Sequence, residues 1–337
     1  MVASEGPDHA HMPSFRRTRG MVEAVTHEWG SDPEPAVPHA SGRRRARGLL
    51  RIARPKQWLK NVLVFAAPGA AGVLSHAHQA ATAAAAFGIF CLAASGTYFV
   101  NDSLDAEADR HHPVKRFRPV AAGEVGVALA ATLGAVLLAA AVGLSWVVAG
   151  GPLAAVVAVY VIIAVAYSLR LKHEPIVDLA CVSSGFILRA IAGGVATGVP
   201  LSHWFLIVAS FGALLVVAGK RSAEHVGLGE VRAVHRPTLG AYPAAFLRSV
   251  RLLAATVTVT AYCLWAFDRS SPAQLGAHHH PIWFELSIVP VVLAVLHLEL
   301  RFETGHGAAP EELALGDRAL QVLGLAWLAL FAAGVYA

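Results

Sequence analysis

Nine long apolar stretches, which cover most of the chain after residue 56, constrain the fold more than any other feature of the sequence. Each is roughly 17 to 28 residues long, the length that a helix needs to cross a ~30 Å hydrocarbon core. A hydrophobic fraction of 56% and a charged fraction of 15% also separate the chain from ordinary soluble domains. The sequence therefore predicts an all-α polytopic membrane protein with nine transmembrane helices, at residues 57–75, 78–100, 121–148, 151–168, 176–199, 203–219, 243–267, 281–299 and 313–336.

The basic residues between these stretches are distributed asymmetrically. With the N-terminus inside, the inner segments carry clusters of Lys and Arg, whereas the outer loops contain one such residue, Arg269. Because Lys and Arg accumulate on the cytoplasmic side, we expect a multi-pass membrane protein with a cytoplasmic N-terminus. The net charge of +5 suits an anionic leaflet. The bases are split among loops and form no basic domain interleaved with aromatic residues, so we expect no nucleic-acid partner.

The first 48 residues mix Pro, Gly, Ser, His and charges without helical periodicity and end in a basic run. We predict a disordered basic cytoplasmic tail at 1–48 and a membrane-embedded catalytic domain at 49–337. The opening of the chain lacks the pattern of a cleaved signal peptide. The three cysteines lie inside apolar runs without disulfide or zinc spacing, and the His triplet at 278–280 falls in an outer loop, so we expect neither to hold a metal.

Charge is concentrated in NDSLDAEADRHHPVKRFRP, residues 101–119, at the end of the second stretch. If that helix continues, Asp102, Asp105 and Asp109 follow an i, i+3, i+7 spacing and share one face within about 60°. Carboxylates crowded together repel one another unless a cation lies among them, and hard oxygen ligands suit Mg²⁺. The sequence thus predicts a Mg²⁺ site, with bases after it to bind phosphate groups. The alternative is a set of solvated loop charges that pair with those bases.

NDSLDAEAD fits the NDxxDxxxD pattern, and in this position it resembles the first Asp-rich motif of the UbiA superfamily of intramembrane prenyltransferases. Further similarity runs from residue 54 to the last helix and includes RPKQWLKN at 54–61, YSLRLK at 167–172 and GFILRAIAGG at 185–194. The resemblance implies helices around a cytoplasm-facing cavity and Mg²⁺ held by Asp102, Asp105 and Asp109. It also makes a homo-oligomer, such as a trimer, plausible.

One departure from the superfamily pattern bears on the substrate. A second motif, DxxxD, binds the prenyl diphosphate in ordinary members, but DLACV stands here, with Val182 in place of the second Asp after Asp178. HPVKRFRP, VAGKRSAE and LWAF further resemble the branch that transfers 5-phosphoribosyl from 5-phosphoribosyl 1-diphosphate to decaprenyl phosphate, for cell-wall arabinan. This resemblance implies a Mg²⁺-dependent glycosyltransferase (a pentosyltransferase) that needs no protein nucleophile.

The candidate site residues come from the cytoplasmic ends of several stretches. Asp102, Asp105 and Lys60 are the predicted catalytic residues, because Lys60 is an ionisable residue within a span. A buried Arg needs an anionic partner, which for Arg189 is either a substrate phosphate or an internal acid. The full set predicted to bind substrate is Gln57, Asn61, Asn101, Lys115, Arg116, Arg118, Tyr167, Lys172, Arg189, Lys220 and Arg221, against a simpler role for several of them as interfacial anchors. Asp178 could serve as a partner for Lys172.

Three alternatives stay open at this point. The first is a UbiA-type prenyltransferase with a prenyl diphosphate donor and an aromatic or other acceptor. The second is a transporter, although a charged cluster at a helix end suits phosphate better than a midplane ion site. The third is a CDP-alcohol phosphotransferase, whose DG and AR elements are missing from LDAEADR.

Overall fold

The computed structural model describes residues 42–227, 240–269, 282–307 and 309–336, and within these ranges it contains helices and no strands. The prediction of an all-α fold is therefore confirmed. The α-helices are α1 (Gly42–Ala53), α2 (Ala66–Ala70), α3 (Ala77–Leu104), α4 (Ala106–Arg110), α5 (Val127–Leu169), α6 (Val177–Thr197), α7 (His203–Gly227), α8 (Ala244–Arg269), α9 (Ile282–Leu286), α10 (Ile288–Glu303), α11 (Pro310–Gly316) and α12 (Arg318–Tyr336). A 3₁₀ helix spans Pro55–Phe65, between α1 and α2.

Seven helices of the described residues are long and apolar enough to cross a membrane, at Ala77–Leu104, Val127–Leu169, Val177–Thr197, His203–Val226, Ala244–Arg269, Ile282–Glu303 and Arg318–Tyr336. They match the second to ninth predicted stretches, because the third and fourth stretches are joined in the 43-residue α5. The first stretch is not one α-helix, since Pro55–Phe65 is 3₁₀ and Ala66–Ala70 is a short α-helix. The count of nine transmembrane helices stays a prediction.

Helix α5 is broken at Ala149 and Gly150, where Gly150 has φ +70° and ψ −164°, a backbone conformation open to glycine. The first half of α5 packs along α3, since a Cβ on Gly134 would meet Val100. The second half runs back along α3 in the opposite direction, since Tyr160 packs on Phe90 with ring centroids 5.3 Å apart. The break therefore separates two antiparallel helices, as the sequence predicted for residues 149–151.

Burial of the side chains along the 3₁₀ helix repeats every three residues. Asn61 and Val64 are fully buried, whereas Leu59 and Val62 are 41% and 50% exposed. A 3₁₀ helix has 3.0 residues per turn, so residues three apart lie in one row. Lys60 and Asn61, predicted together as cavity residues, consequently face different surroundings.

Small residues bring the helices into close contact. A Cβ on Gly193 of α6 would lie 1.8 Å from the carbonyl oxygen of Val64, so α6 touches the backbone of the 3₁₀ helix. Gly96 of α3 and Gly134 of α5 face each other in the same way, each with a hypothetical Cβ 3.1 Å from the other's carbonyl oxygen. Such contacts are typical of membrane helices, where packing rather than the hydrophobic effect drives association.

Helix α1 begins at Gly42, so regular structure starts earlier than the predicted boundary between residues 48 and 49. The reason is that Gly48 is buried, with Val125 and Pro119 against the position its Cβ would take. The predicted tail up to residue 41 and the triplet at 278–280 lie outside the described residues.

Candidate functional site

The three predicted aspartates lie where α3 gives way to α4. Asp102 is in the last turn of α3, Asp105 stands at the break between the two helices, and Asp109 is near the end of α4. Asp102 and Asp109 are 2% and 3% exposed. Buried carboxylates need charged or hydrogen-bonding partners, so their partners define the site.

One guanidinium joins two of these carboxylates. Arg118 Nη1 donates to Asp109 Oδ2 at 2.7 Å and lies 3.4 Å from Asp102 Oδ1. Asp105 faces another way: Lys172 Nζ lies 2.5 Å from its Oδ1, and Asn101 Nδ2 donates to its Oδ2 at 3.1 Å. The helix break at Asp105 therefore divides the predicted common face in two, and Lys172 pairs with Asp105 rather than with Asp178, its predicted partner.

Arg54, which the motif analysis did not single out, completes the cluster. Its Nη2 donates to Asp102 Oδ1 at 2.9 Å, and its guanidinium carbon lies 4.4 Å from the centre of the Tyr98 ring. The signal in the sequence was weak, since Arg54 looked like one more base of a positive-inside segment. Its contact with Asp102 crosses from the start of the 3₁₀ helix to the end of α3.

The bases after the aspartates lie beside an open pocket of about 430 Å³. Lys115 and Arg118 line it together with Asp102, and Arg51 and Arg54 line it from the N-terminal side. Arg116 is exposed and its guanidinium stacks on Phe117 at 4.9 Å. The structure thus brings Lys115 and Arg118 to the aspartates and leaves Arg116 outward.

A second buried carboxylate, Asp178, is fully enclosed. Arg221 Nε donates to its Oδ2 at 2.8 Å and Nη2 donates to its Oδ1 at 2.9 Å, and Tyr167 Oη donates to the same Oδ1 at 2.7 Å. Glu224 accepts a further bond from Arg221 Nη1 at 3.1 Å and lies 3.9 Å from Lys220 Nζ. Of the predicted substrate residues, Tyr167, Lys220 and Arg221 therefore gather around Asp178.

A strained backbone conformation occurs near each of the two groups of buried carboxylates, one at Asp102 and one at Asp178. The described residues contain two non-glycine residues with positive φ, Arg54 at 50° and Ile176 at 67°. Arg54 contacts Asp102, and Ile176, whose N–H donates to Tyr242 Oη at 2.8 Å, stands just before Asp178. Such conformations persist where surrounding contacts hold them, and they concentrate at functional sites.

Asn61 and Arg189 form a separate buried pair. Arg189 Nε donates to Asn61 Oδ1 at 2.6 Å, and its other nitrogens donate to Tyr160 Oη at 3.1 Å and to the Gly185 carbonyl oxygen at 2.5 Å. Asn61 in turn donates to Cys91 Sγ at 3.2 Å. Cys91 precedes Asp102 by about 16 Å of helix. The three partners of Arg189 are uncharged, so they differ from the internal acid that was one of its two expected partners.

Lys60 and Gln57 share the remaining row of the 3₁₀ helix, and both are half-buried. Lys60 lines an apolar cavity of about 310 Å³, whose other lining residues are Leu59, Phe186, Val216, Leu298, Phe302, Pro310, Leu313, Ala314 and Leu320. At ~2 Å of rise per residue, Lys60 lies about 12 Å along the 3₁₀ helix from Arg54. The structure therefore separates Lys60 from the aspartates and gives it an apolar setting.

The donor chemistry of the aspartates suits a hard divalent cation, and Asp102 and Asp109 already surround one cationic nitrogen of Arg118. Within the described residues no three His, Cys, Asp or Glu side chains are grouped closely enough to hold a metal ion as they stand. Asp105 faces away from the other two aspartates and pairs with Lys172. Asp102 and Asp109 would serve as two ligands of a metal in the place of Arg118, and Asp105 would have to turn to become the third.

Fold and site together define a polytopic, helical membrane protein with buried carboxylates and cations gathered around one end of α3, α6 and α7. The model of the UbiA prenyltransferase family matches residues 62–323, and the chain belongs to this family. It is a multi-pass membrane protein.

Curated relatives cover nearly the same length. The decaprenyl-phosphate phosphoribosyltransferase of Corynebacterium glutamicum is 46% identical over 294 residues, which is 86% of this chain and 87% of that protein. The enzyme of the same name from Mycolicibacterium smegmatis is 44% identical over 86% of this chain and 92% of its own. A UbiA homolog from Archaeoglobus fulgidus, solved with GPP and Mg²⁺, is 17% identical and superposes with a TM-score of 0.62 over 85% of this chain and 98% of its own. That structure supports the fold alone.

Proposed function

We propose that the protein transfers 5-phosphoribosyl from 5-phosphoribosyl 1-diphosphate to decaprenyl phosphate, with 5-phosphoribosyl-monophosphoryl-decaprenol and diphosphate as products. The two relatives named decaprenyl-phosphate phosphoribosyltransferase are 44% and 46% identical to the chain over 86% of its length. The observation that carries the proposal within the structure is the asymmetry of the two carboxylate groups. Asp102 borders a pocket rich in cations and Asp109 pairs with Arg118 of its lining, whereas Asp178 is closed by Arg221 and Tyr167.

The enclosed state of Asp178 argues against a second metal-bound diphosphate group at this position. Both its oxygens accept bonds from Arg221, the side chain is fully buried, and Val182 cannot ligate a metal. The chain thus lacks the second carboxylate group that the resemblance associates with a prenyl diphosphate, so we assign the diphosphate to the sugar donor. The lipid then enters as a monophosphate acceptor.

Asp102, Asp109 and Asp105 would hold a divalent metal, which we propose to be Mg²⁺ and which supplies neutralisation of the departing diphosphate. Lys172 adds positive charge beside Asp105, where negative charge develops on the leaving group. These residues position the donor and need not donate or accept a proton.

The reaction requires no nucleophile from the protein. An oxygen of the lipid phosphate attacks C1 of the ribose from the face opposite the diphosphate, the C1–O bond to the diphosphate breaks with its electron pair, and the configuration inverts. A phosphate monoester is largely ionised at neutral pH, so a general base is not required. Holding the two anionic reactants together is the main task of the protein, and it needs cations on both sides of C1.

The apolar cavity beside Lys60 is the proposed site for the start of the polyprenyl chain. Leu59, Phe186 and Phe302 line it, and Phe302 is held by contacts at Gly219 and Gly307 that leave no room for a Cβ. Lys60 contributes an ammonium group to this otherwise apolar lining. An ammonium at the edge of an apolar groove suits a lipid phosphate, which has a charged head and an apolar tail.

We also propose that the site faces the cytoplasm at the inner membrane, since the Lys and Arg residues near the ends of α3 and α7 follow the positive-inside pattern. The product would serve arabinan synthesis in the cell wall. A homo-oligomer, such as a trimer, stays a proposal from the family resemblance.

A direct assay tests the proposed reaction. The purified protein is incubated with Mg²⁺, decaprenyl phosphate and 5-phosphoribosyl 1-diphosphate labelled in the ribose, and a labelled lipid is the expected product. A parallel reaction offers a prenyl diphosphate with an aromatic acceptor. Prenylation of the aromatic compound without a labelled phosphoribosyl lipid would overturn the proposal in favour of an ordinary prenyltransferase.

A further inference from the structure

The pocket beside Asp102 is formed by two segments that are distant in the sequence. Arg51 and Arg54 come from the end of α1 and the residue after it, and Lys115 and Arg118 come from the loop after α4. Four cations against the carboxylate of Asp102 make this an anion site. A volume of about 430 Å³ accommodates a phosphate group with part of a sugar.

A hydrogen bond and an ion pair connect the two sides of the pocket. Arg51 Nη2 donates to the carbonyl oxygen of Phe117 at 3.0 Å, and its Nη1 lies 3.2 Å from Glu124 Oε2. Gly48 leaves just enough space for the loop, since a Cβ there would lie 3.0 Å from Val125 Cγ2. Helix α1 thus contacts the loop that carries Lys115 and Arg118 on the opposite side of the pocket.

The two sides of the pocket differ in their position relative to the family match. Arg51 and Arg54 precede residue 62, where that match begins, although Arg54 opens the RPKQWLKN segment that carries the superfamily resemblance. The aspartates lie inside the match, and Asp102 borders the pocket and lies 3.4 Å from Arg118. The N-terminal side of the anion site therefore lies at the edge of the matched segment.

The charges of the proposed donor explain why a second group of cations is useful. A prenyl diphosphate has one anionic end, whereas a phosphoribosyl diphosphate has two, the diphosphate on C1 and the phosphate monoester on C5. The diphosphate belongs with the aspartates and their metal, so the monoester needs a second group of cations that requires no metal. The pocket is adjacent to Asp102, so one donor molecule could contact the aspartates at one end and the cations of the pocket at the other.

We infer that the pocket lined by Arg51, Arg54, Lys115 and Arg118 binds the 5-phosphate of the donor, and that Arg51 and Arg54 select a sugar phosphate over a prenyl diphosphate. This inference deepens the proposed function and rests on it. Arg51 contributes charge to the pocket while also holding Phe117 in place. Arg54 joins the two sites, since it lines the pocket and contacts Asp102.

Two simple ligands separate the two halves of the donor. Ribose 5-phosphate without metal tests the pocket, and inorganic diphosphate with Mg²⁺ tests the aspartates. Each is used to compete with labelled 5-phosphoribosyl 1-diphosphate for the purified full-length protein. In Arg51→Gln, the inhibition constant of ribose 5-phosphate should rise about tenfold or more, as expected for a lost charge-assisted hydrogen bond, while that of diphosphate stays within about twofold.

Control variants distinguish charge from architecture. Arg44→Gln removes an exposed Arg from the same helix, away from the pocket lining, and should leave both constants unchanged. Arg51→Lys keeps the charge and should restore most of the ribose 5-phosphate affinity. Lys115→Gln, on the opposite wall, should repeat the selective loss and provides a second test if Arg51→Gln does not fold.

The outcomes keep this inference distinct from the proposed function. Inhibition by diphosphate but not by ribose 5-phosphate overturns the pocket assignment and leaves the proposed function standing. Equal weakening of both ligands in Arg51→Gln also overturns it, because that result indicates a general disturbance of the loop. Failure of both ligands to compete, together with no labelled lipid product, contradicts the proposed function itself.

Discussion

Arg118 donates to Asp109 at 2.7 Å through the same Nη1 atom that lies 3.4 Å from Asp102 Oδ1. One protein cation therefore stands between two buried carboxylates, where a divalent metal would be expected to bind. Protein cations and metals compete for carboxylate oxygens, since each is attracted by the same negative charge. With a metal held by these carboxylates, Arg118 would be available to the phosphate groups of the donor.

The first prediction follows from this competition. In Arg118→Gln the affinity for Mn²⁺ without substrate should increase about tenfold, because a competing cation near the carboxylates is gone. The affinity for 5-phosphoribosyl 1-diphosphate should fall at least about tenfold, because a phosphate partner is lost. Electron paramagnetic resonance of free Mn²⁺ measures the first effect, and competition binding measures the second.

Arg110→Gln is the matched control for Arg118, since Arg110 is exposed and pairs with Glu107 on the outer side of α4. It should change neither affinity. Weaker Mn²⁺ binding in Arg118→Gln would show that the guanidinium supports the metal site instead of competing for it.

The second prediction concerns the aspartates themselves. Asp102→Ala and Asp105→Ala should each reduce turnover at least ~100-fold, because each removes a carboxylate that would hold the metal whose charge neutralises the departing diphosphate. Glu107→Ala changes an exposed acid of the same segment and should retain activity. Initial rates of labelled lipid formation are compared with thermal unfolding in detergent, so that lost activity is separated from lost structure. Near-normal turnover in both Asp variants would favour the interpretation of solvated loop charges.

Much of this site was predictable from local sequence. The spacing of Asp102, Asp105 and Asp109 on the end of an apolar helix indicated a phosphate or metal site, and the bases after Pro113 indicated its counter-charges. What local sequence missed is the partner of each charge. Spacing along one helix says nothing about which other helix end arrives beside it, so the contacts of Arg54 with Asp102 and of Lys172 with Asp105 required the packed bundle.

Two features of the fold were missed for a different reason. Over a short segment, a hydrophobic pattern that repeats every three residues looks much like one that repeats every 3.6 residues. The hydrophobic pattern of Pro55–Phe65 therefore could not distinguish a 3₁₀ helix from an α-helix. Arg221 was predicted to bind substrate because it follows Lys220 at the end of a span, and its partner Asp178 was not foreseen. Its bidentate pairing with Asp178 joins residues 43 positions apart.

The third prediction tests that pairing. Arg221→Met leaves the fully buried carboxylate of Asp178 without its cation, which should lower the free energy of unfolding by about 3–5 kcal/mol. The double variant Asp178→Asn with Arg221→Met should recover a large part of this loss, because no buried charge is left. Thermal unfolding of the single and double variants in detergent gives the coupling. Additive effects of the two substitutions would contradict a direct ion pair in the folded protein.

The last prediction concerns the contact between α6 and the 3₁₀ helix. A Cβ on Gly193 would lie 1.8 Å from the carbonyl oxygen of Val64, a backbone atom that cannot move without shifting the 3₁₀ helix. Gly193→Ala should therefore destabilise the protein by about 2–3 kcal/mol or more, and the shift should also weaken binding of the lipid phosphate near Lys60. Thermal unfolding and the KM for decaprenyl phosphate measure the two effects.

Gly143→Ala is the matched control, since a Cβ there meets no atom within 4 Å and the residue lies within helix α5. It should be neutral or stabilise the helix by about 0.5–1 kcal/mol, because Ala loses less conformational entropy than Gly on folding. A Gly193→Ala protein as stable as the control, with an unchanged KM, would contradict the tight contact. Loss of stability with an unchanged KM would instead indicate that the packing of the 3₁₀ helix does not affect acceptor binding. Lys60 would then not belong to the acceptor site.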